Sequence, residues 1–143
     1  MTESLEASVV RRLQPAPFWD FVGAELIEAG PGRAIVRIPR RPEYGRSGAA
    51  GSWSAHGGMV ATAIDMAASC AVITTLSDSE GRATIDLAVH YLAPAEDDLV
   101  ATATVRRRGG RVAVIDVELA SGGQLVALGR LTFAITRQGQ ASG

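Results

Sequence analysis

The chain has 143 residues, of which 47% are hydrophobic and 20% are charged, and its formal net charge is -1. These values predict one soluble globular domain over 1–143, and the near-neutral charge gives no general attraction to nucleic acid or to an acidic membrane. Cys70 is the only cysteine, which excludes an internal disulfide and a cysteine-based zinc site and favours a cytoplasmic setting. Neither Lys nor Asn occurs, so Schiff-base chemistry, P-loop chemistry and a Cys-His-Asn arrangement are excluded as well.

The N-terminal segment predicts a short helix and no export signal. Its first residues hold no apolar run of signal-peptide length, and they carry Glu3 and Glu6 where a signal peptide has positive charge. Apolar residues at helical spacing predict an amphipathic helix over 4–13. We expect residues 1–16 to form a lid or a packing element.

A β-hairpin and a long loop are predicted next. Alternating apolar residues indicate strands from Phe21 to Glu28 and from Arg33 to Ile38, and Gly30-Pro31-Gly32 supplies the turn between them. Residues 40–55 mix Pro, Gly and Ser without a period, which predicts a loop. Loops of this length inside compact domains are often functional.

The segment HGGMVATAIDMAASCAVITTL, residues 56–76, predicts a long central helix. Its apolar character on nearly all sides indicates that a sheet buries it. Asp65 lies near its middle, and a carboxylate there costs about 2.5 to 3.5 kcal/mol to insert into a bilayer. A buried helix of a soluble protein is therefore expected, and a membrane span is not.

The rest of the chain predicts strands. They run from Ala83 to Leu92, Leu99 to Arg107, Val112 to Ala120 and Leu125 to Thr136, and a frayed tail over 137–143 follows. Glycine-rich turns between the last three strands predict an antiparallel meander. With one long helix available, the predicted fold is α+β, an antiparallel sheet curled around that helix.

The start of the central helix is suited to binding a carbonyl oxygen. His56-Gly57-Gly58 opens the helix, and two glycines let a ligand approach the backbone closely. The free N–H groups of a helix start, together with the positive end of the helix dipole, stabilise developing negative charge. The sequence therefore predicts an oxyanion hole at this turn.

Asp65 is the candidate acid or base. Burial among apolar helix residues is expected to raise its pKa, which is typical of a functional carboxylate. Gly57 and Asp65 are eight residues apart, about 12 Å along a helix axis, so one small carbonyl cannot touch both. If both act on one substrate, Asp65 comes from a second subunit across a two-fold axis, and a dimer is required.

Two motifs resemble the hot-dog fold acyl-CoA thioesterases, in particular the phenylacetate-pathway (PaaI-type) branch. The run HGGMVATAIDMA matches the family's HGG with a helix-borne Asp, and TIDLAVHYLAPA matches its T-x-x-L-x-x-x-Y/F-L-x-P-A strand. The likeness extends from Pro17-Phe18, through Gly110-Arg111, to the last strand. It implies the hot-dog fold and the hydrolysis of acyl-CoA to a free acid and coenzyme A.

Site roles follow from the resemblance. It implies that the N–H of Gly57 polarises the thioester carbonyl and that His56 shapes the helix start. It makes Asp65 of the partner subunit the general base or the nucleophile. Thr84 stands where the family has a Ser or Thr that orients water, and Ser69 lies four residues after Asp65 on the same helix face, where it can assist.

The resemblance also implies how the substrate is held. No cofactor is expected beyond the coenzyme A of the substrate, and a homodimer or homotetramer is implied. Arginines at strand ends would bind the phosphates of coenzyme A, and the candidates are Arg106, Arg107, Arg108 and Arg111. The other residues expected at the substrate are Gly58, Trp53 and Ser54. The family has Asn or Gln six residues before the His, and this chain has Ala50 there. Ser52, Trp53 or Ser54 could take the role of the missing amide side chain.

Other interpretations stay open. Ala50 motivates a non-catalytic module that binds acyl-CoA, and a hydratase of the same fold is a third hypothesis. Two histidines without further ligands do not predict a metal, although His90 and Asp86 share a strand face. Cys70 is expected in the core, and Trp53 and Tyr44 either line an acyl pocket or pack the loop. By default the arginine cluster is interpreted as a solvated hairpin end, with coenzyme A binding second and an RNA contact third.

Overall fold

The structure is a computed structural model that describes residues 2–48 and 51–137. These residues form three α-helices, one short 3-10 helix and six strands. In chain order they are α1 (Leu5–Leu13), α2 (Pro17–Val22), β1 (Glu25–Gly30), β2 (Arg33–Ile38), the 3-10 helix (Pro42–Tyr44), α3 (Gly57–Ile73), β3 (Glu80–Tyr91), β4 (Leu99–Arg108), β5 (Val112–Ser121) and β6 (Gln124–Arg137). No helix of the described residues is long and apolar enough to cross a membrane.

All six strands form one antiparallel sheet in the order β1-β2-β4-β5-β6-β3. The predicted hairpin (β1–β2) and the predicted meander (β4–β5–β6) are both present, and the last four strands begin and end within three residues of their predicted bounds. β3 closes one edge of the sheet and pairs only with β6 within the described chain. The α+β prediction of a sheet around one long helix is thus confirmed.

Helix α3 crosses the inner face of the sheet and forms the centre of the core. Its residues Ile64, Ala67 and Ala68 are fully buried, because the sheet covers that side of the helix. The helix approaches the sheet closely at Gly129 of β6, where a Cβ would lie only 2.5 Å from Cγ2 of Ile64. A glycine at position 129 therefore allows α3 to pack closely against β6 at Ile64, the residue before Asp65.

The predicted first strand is wrong at its start. Phe21 and Val22 belong to α2, and β1 begins only at Glu25. Pro17 occupies the first turn of α2, and Gly23 ends it with a left-handed φ of 73°. A proline at the start and a glycine past the end delimit a helix, and here they outweigh a short apolar alternation.

The N-terminal helix is a packing element. Ser4 caps α1 by accepting a hydrogen bond from Ala7 N–H at 3.1 Å, and Val9 is fully buried. Arg12 donates to the carbonyl oxygens of Ser77 and Glu80, at 2.8 and 3.0 Å, in the turn between α3 and β3. These contacts place α1 at the C-terminal end of α3, away from the glycine turn.

Two further predictions concern segments that the structure describes only in part. Residues 40–55, predicted as a loop, also contain the 3-10 helix and an isolated antiparallel bridge between Gly45 and Ala55. Arg137 belongs to β6, so the predicted tail begins one residue too early. The rest of that tail and Ala50 lie outside the described residues.

Candidate active site

The first turn of α3 presents an unoccupied backbone donor. His56 is the N-cap, and its Nδ1 accepts a hydrogen bond from Gly58 N–H at 2.8 Å. The carbonyl oxygen of His56 accepts from Met59 N–H at 2.9 Å and from Val60 N–H at 3.3 Å. Within the described residues, the N–H of Gly57 has no acceptor, so it is available to a ligand at the positive end of the helix.

A cleft of about 430 Å³ opens at this turn. It is lined by Arg46, Ser54, Ala55, Gly57, Val60 and residues 91–95. Ser54 is buried, and its Oγ accepts a hydrogen bond from Nε of Arg46 at 2.6 Å. The cleft is therefore mostly apolar, with one guanidinium and one backbone donor, an environment in which a carbonyl group can be polarised.

Asp65 and Thr84 form a second polar feature farther along α3. Oγ1 of Thr84 donates a hydrogen bond to Oδ1 of Asp65 at 2.8 Å. Asp65 was expected to be buried among apolar helix residues, and in the single chain it is half-buried. This hydrogen bond holds the carboxylate in one orientation. A general base needs a fixed orientation, because it must lie within hydrogen-bond distance of the water molecule that it deprotonates.

A β-bulge brings Thr84 to the helix. Simple alternation would place Thr84 and Leu87 on opposite faces of β3. The register of β3 against β6 shifts between Thr84 and Asp86, and Thr84 pairs with Phe133 while Leu87 pairs with Leu131. Phe133 and Leu131 are both buried, so the extra residue puts Thr84 on the inner face with Leu87.

Ser69 contacts an arginine that the sequence analysis did not single out. Nε of Arg82 donates to Ser69 Oγ at 2.8 Å. Burial lowers the pKa of the Arg82 guanidinium, and the nearby charge of Asp65 acts in the opposite sense. Arg82 precedes Thr84 by two residues, so both side chains lie on the same face of β3. Because Thr84 contacts Asp65, this spacing could have predicted that Arg82 also lies near Asp65.

The two polar features are separated along one continuous helix. Gly57 and Asp65 both lie in α3, about 12 Å apart at the helical rise of 1.5 Å per residue. Asp65 is not among the described residues that line the cleft at Gly57. A small thioester held at Gly57 is therefore out of reach of the carboxylate in the same chain.

The arginines predicted to bind phosphates do not form one cluster. Arg106 donates to Asp116 on the outer face of the sheet, at 2.9 Å. Arg108 donates to Glu80 at 2.7 Å and so joins β4 to the start of β3. Hydrogen bonds from Ser77 and Arg108 lower the pKa of Glu80 to about 2. Arg111 lies exposed beside the β4–β5 turn.

The aromatic residues of the loop pack against the fold. Trp53 lies beneath the guanidinium of Arg40, which is 4.4 Å from the ring centroid, and Tyr44 donates its hydroxyl proton to the carbonyl oxygen of Val22 at 2.7 Å. Neither side chain lines the cleft at Gly57. Of the two interpretations of these residues, packing is the one that the contacts support.

Cys70 and His90 lie away from the glycine turn. Cys70 is buried in the core, and burial raises the pKa of its thiol to about 12, which makes it unreactive at neutral pH. His90 lies on the outer face of the sheet in a separate cleft of about 390 Å³, beside Arg130 and Leu128. No group of three or more His, Cys, Asp or Glu side chains suited to a metal ion occurs within 2–48 and 51–137.

Comparison with known proteins identifies the family. The model of the thioesterase superfamily matches residues 54–128, just over half of the chain, and this range includes Gly57, Asp65 and Thr84. The chain belongs to the thioesterase superfamily. The predictions of a hot-dog fold and of a thioester hydrolase are thereby confirmed.

Individual relatives of this thioesterase agree with that assignment. It is 36% identical over 126 residues to a putative esterase of Halobacterium salinarum, with 82% of this chain and 83% of that protein covered. It is 31% identical over 137 residues to acyl-coenzyme A thioesterase 13 of Homo sapiens, with 92% and 94% covered. A mutant of the phenylacetic acid degradation protein PaaI from Thermus thermophilus superposes with a TM-score of 0.73 at 26% identity, covering 82% and 97%.

Proposed function

We propose that this thioesterase hydrolyses acyl-CoA thioesters to a free acid and coenzyme A. The observation that carries the proposal is the N–H of Gly57, which has no acceptor within the described residues and opens into a mostly apolar cleft. Its human relative is named for acyl-coenzyme A hydrolysis. The reaction needs no cofactor, because water is the only co-substrate of thioester hydrolysis.

The proposed chemistry uses one donor and one base. The thioester carbonyl oxygen accepts a hydrogen bond from Gly57 N–H, and Asp65 removes a proton from a water molecule that attacks the carbonyl carbon. The tetrahedral intermediate then collapses, the C–S bond breaks, and the coenzyme A thiolate leaves and takes up a proton. The hydrogen bond from Thr84 orients the carboxylate for this step.

The proposal places the two groups of one site on two subunits. One face of α3 is only partly covered by the rest of the chain: Gly58 is exposed there, and Thr62, Asp65 and Ser69 are half-buried. Beside it, β3 has one edge that pairs with no other strand of the described residues, and the large apolar side chains of Ile85 and Leu87 on this strand are exposed. An open strand edge next to an exposed apolar surface is suited to pairing with a second chain.

Two-fold pairing at this surface explains the separation of Gly57 from Asp65. If α3 of the partner runs antiparallel beside the first helix, its Asp65 approaches the turn at Gly57 of the other chain. Each dimer then has two equivalent sites. Arg46 lines the same cleft and is the arginine best placed to reach an anionic part of the substrate.

Thiol release from a panel of acyl-CoA thioesters, aliphatic and aryl, short to long, tests the proposed function. We expect the wild-type protein to turn over at least one member, and the preferred acyl group will define the substrate class. Saturable binding of acyl-CoA without thiol release by any member would contradict the proposal and favour a binding module. Addition of water to an enoyl-CoA in the same preparation would favour the hydratase hypothesis.

A further inference from the structure

Tyr91, the last residue of β3, contacts the turn that carries the proposed oxyanion donor. Its hydroxyl donates a hydrogen bond to the carbonyl oxygen of Gly57 at 2.7 Å. A Cβ at position 57 would lie 3.3 Å from Oη of Tyr91 and 3.4 Å from Cε1 of its ring. The phenol therefore lies directly against the backbone of Gly57.

The peptide groups on both sides of the Gly57 Cα are held. The carbonyl of His56, in the preceding peptide, accepts from the N–H groups of Met59 and Val60. In the following peptide, the Gly57 carbonyl accepts from Tyr91, and the Gly58 N–H donates to Nδ1 of His56. The Gly57 N–H lies in the first of these peptide planes, which joins the second at the Gly57 Cα. The Tyr91 hydroxyl holds the second plane from outside the helix start, and so limits rotation of the first about the shared Cα.

We infer that Tyr91 is a positioning residue that holds the Gly57 N–H in the direction required by the developing oxyanion. This inference rests on the proposed function, since it assigns a role within the same site. Oxyanion donors accelerate a reaction because they are oriented before charge develops. Loss of the phenol hydroxyl should therefore reduce turnover more than it weakens substrate binding.

The exposure of Tyr91 argues against a role in the core. Its side chain is 56% exposed, whereas Tyr44, the other tyrosine, is only 8% exposed. Both hydroxyls donate to a backbone carbonyl at 2.7 Å. Tyr44 is thus a matched control, because Tyr44→Phe removes the same kind of hydrogen bond from a buried ring that does not line the cleft. The substitution leaves intact the backbone carbonyl of Tyr44, which accepts from His56 N–H at 2.7 Å.

The test compares Tyr91→Phe with Tyr44→Phe, using the acyl-CoA that the wild type turns over fastest. For Tyr91→Phe we expect kcat to fall about 10-fold with KM changed less than about 2-fold, while Tyr44→Phe lowers thermal stability and leaves kcat intact. Equal kcat values for Tyr91→Phe and wild type, per folded protein, would overturn the inference. A purely structural role would lower the melting temperature without this selective loss of kcat.

A double substitution tests whether Tyr91 acts through Gly57. In a Gly57→Pro background the N–H is absent, so Tyr91→Phe should cause no further loss of kcat. A full additional 10-fold loss in that background would show that the hydroxyl acts independently of the donor and would overturn the inference.

Amide hydrogen exchange separates this inference from the proposed function. If the hydroxyl holds the turn, Tyr91→Phe should accelerate exchange of the Gly58 N–H about 10-fold, and Tyr44→Phe should not. A protein that released no thiol from any acyl-CoA would refute the proposed function. The exchange rates would still decide the anchoring role, and unchanged exchange in Tyr91→Phe would refute it.

Discussion

Replacing Asp65 with asparagine is expected to lower kcat by about 10²- to 10⁴-fold, the contribution of a well-placed general base. Asparagine has nearly the same shape, and its side-chain oxygen can still accept the hydrogen bond that Thr84 Oγ1 gives to Asp65 at 2.8 Å. The geometry of α3 should therefore survive, while the ability to take a proton from water is lost. Steady-state thiol release, measured beside a thermal melt, checks both parts.

A charge-matched control separates the base from a general charge effect. Asp20→Asn removes the same charge from an exposed position on α2 that does not line the cleft at Gly57, and it should leave kcat within about 2-fold of wild type. If Asp65→Asn retained wild-type turnover with a wild-type fold, Asp65 would not be the base. An acid on another element would then have to be sought.

Replacing Gly57 with proline is expected to lower kcat by about 10²- to 10³-fold, as loss of one oxyanion donor does elsewhere. Proline has no N–H, and the first turn of a helix accepts it readily. The preceding residue, His56, already has an extended backbone, with φ -58° and ψ 138°, which is the conformation that a following proline requires. The substitution should therefore remove the donor while α3 is retained.

Gly57→Ala supplies the matched control for the donor. Both substitutions add a Cβ near the Tyr91 ring, but alanine keeps the N–H. We expect Gly57→Ala to retain at least about 10-fold more kcat than Gly57→Pro. Equal losses in the two variants would mean that the Cβ contact, rather than the missing hydrogen-bond donor, is responsible.

Much of the fold could be predicted because long elements carry strong periodic signals. The central helix, Gly57–Ile73, and the strands after it were predicted nearly to their ends. The early error, a strand in place of α2, arose in a six-residue helix. Such a helix spans fewer than two turns, too few for its period to be distinguished from alternation.

The site was predicted in part, for reasons that are local to particular residues. The separation of Gly57 and Asp65 follows from position on one helix and needs no tertiary information. The contact between Thr84 and Asp65 depends on a bulge in β3, and simple alternation would have turned Thr84 away. Arg46 and Tyr91 meet the glycine turn only through tertiary packing, so chain spacing did not reveal them.

The most direct test of a site shared between two chains is complementation within a heterodimer. Asp65→Asn and Gly57→Pro chains carrying different tags are co-expressed, and the mixed dimer is isolated through both tags. One of its two sites then combines the intact Gly57 of one chain with the intact Asp65 of the other.

We predict that the mixed dimer has about half the wild-type kcat per dimer, although each parent variant is nearly inactive. If both groups instead acted within one chain, every site of the mixed dimer would lack one of them. A mixed dimer as inactive as its parents would therefore contradict the shared site.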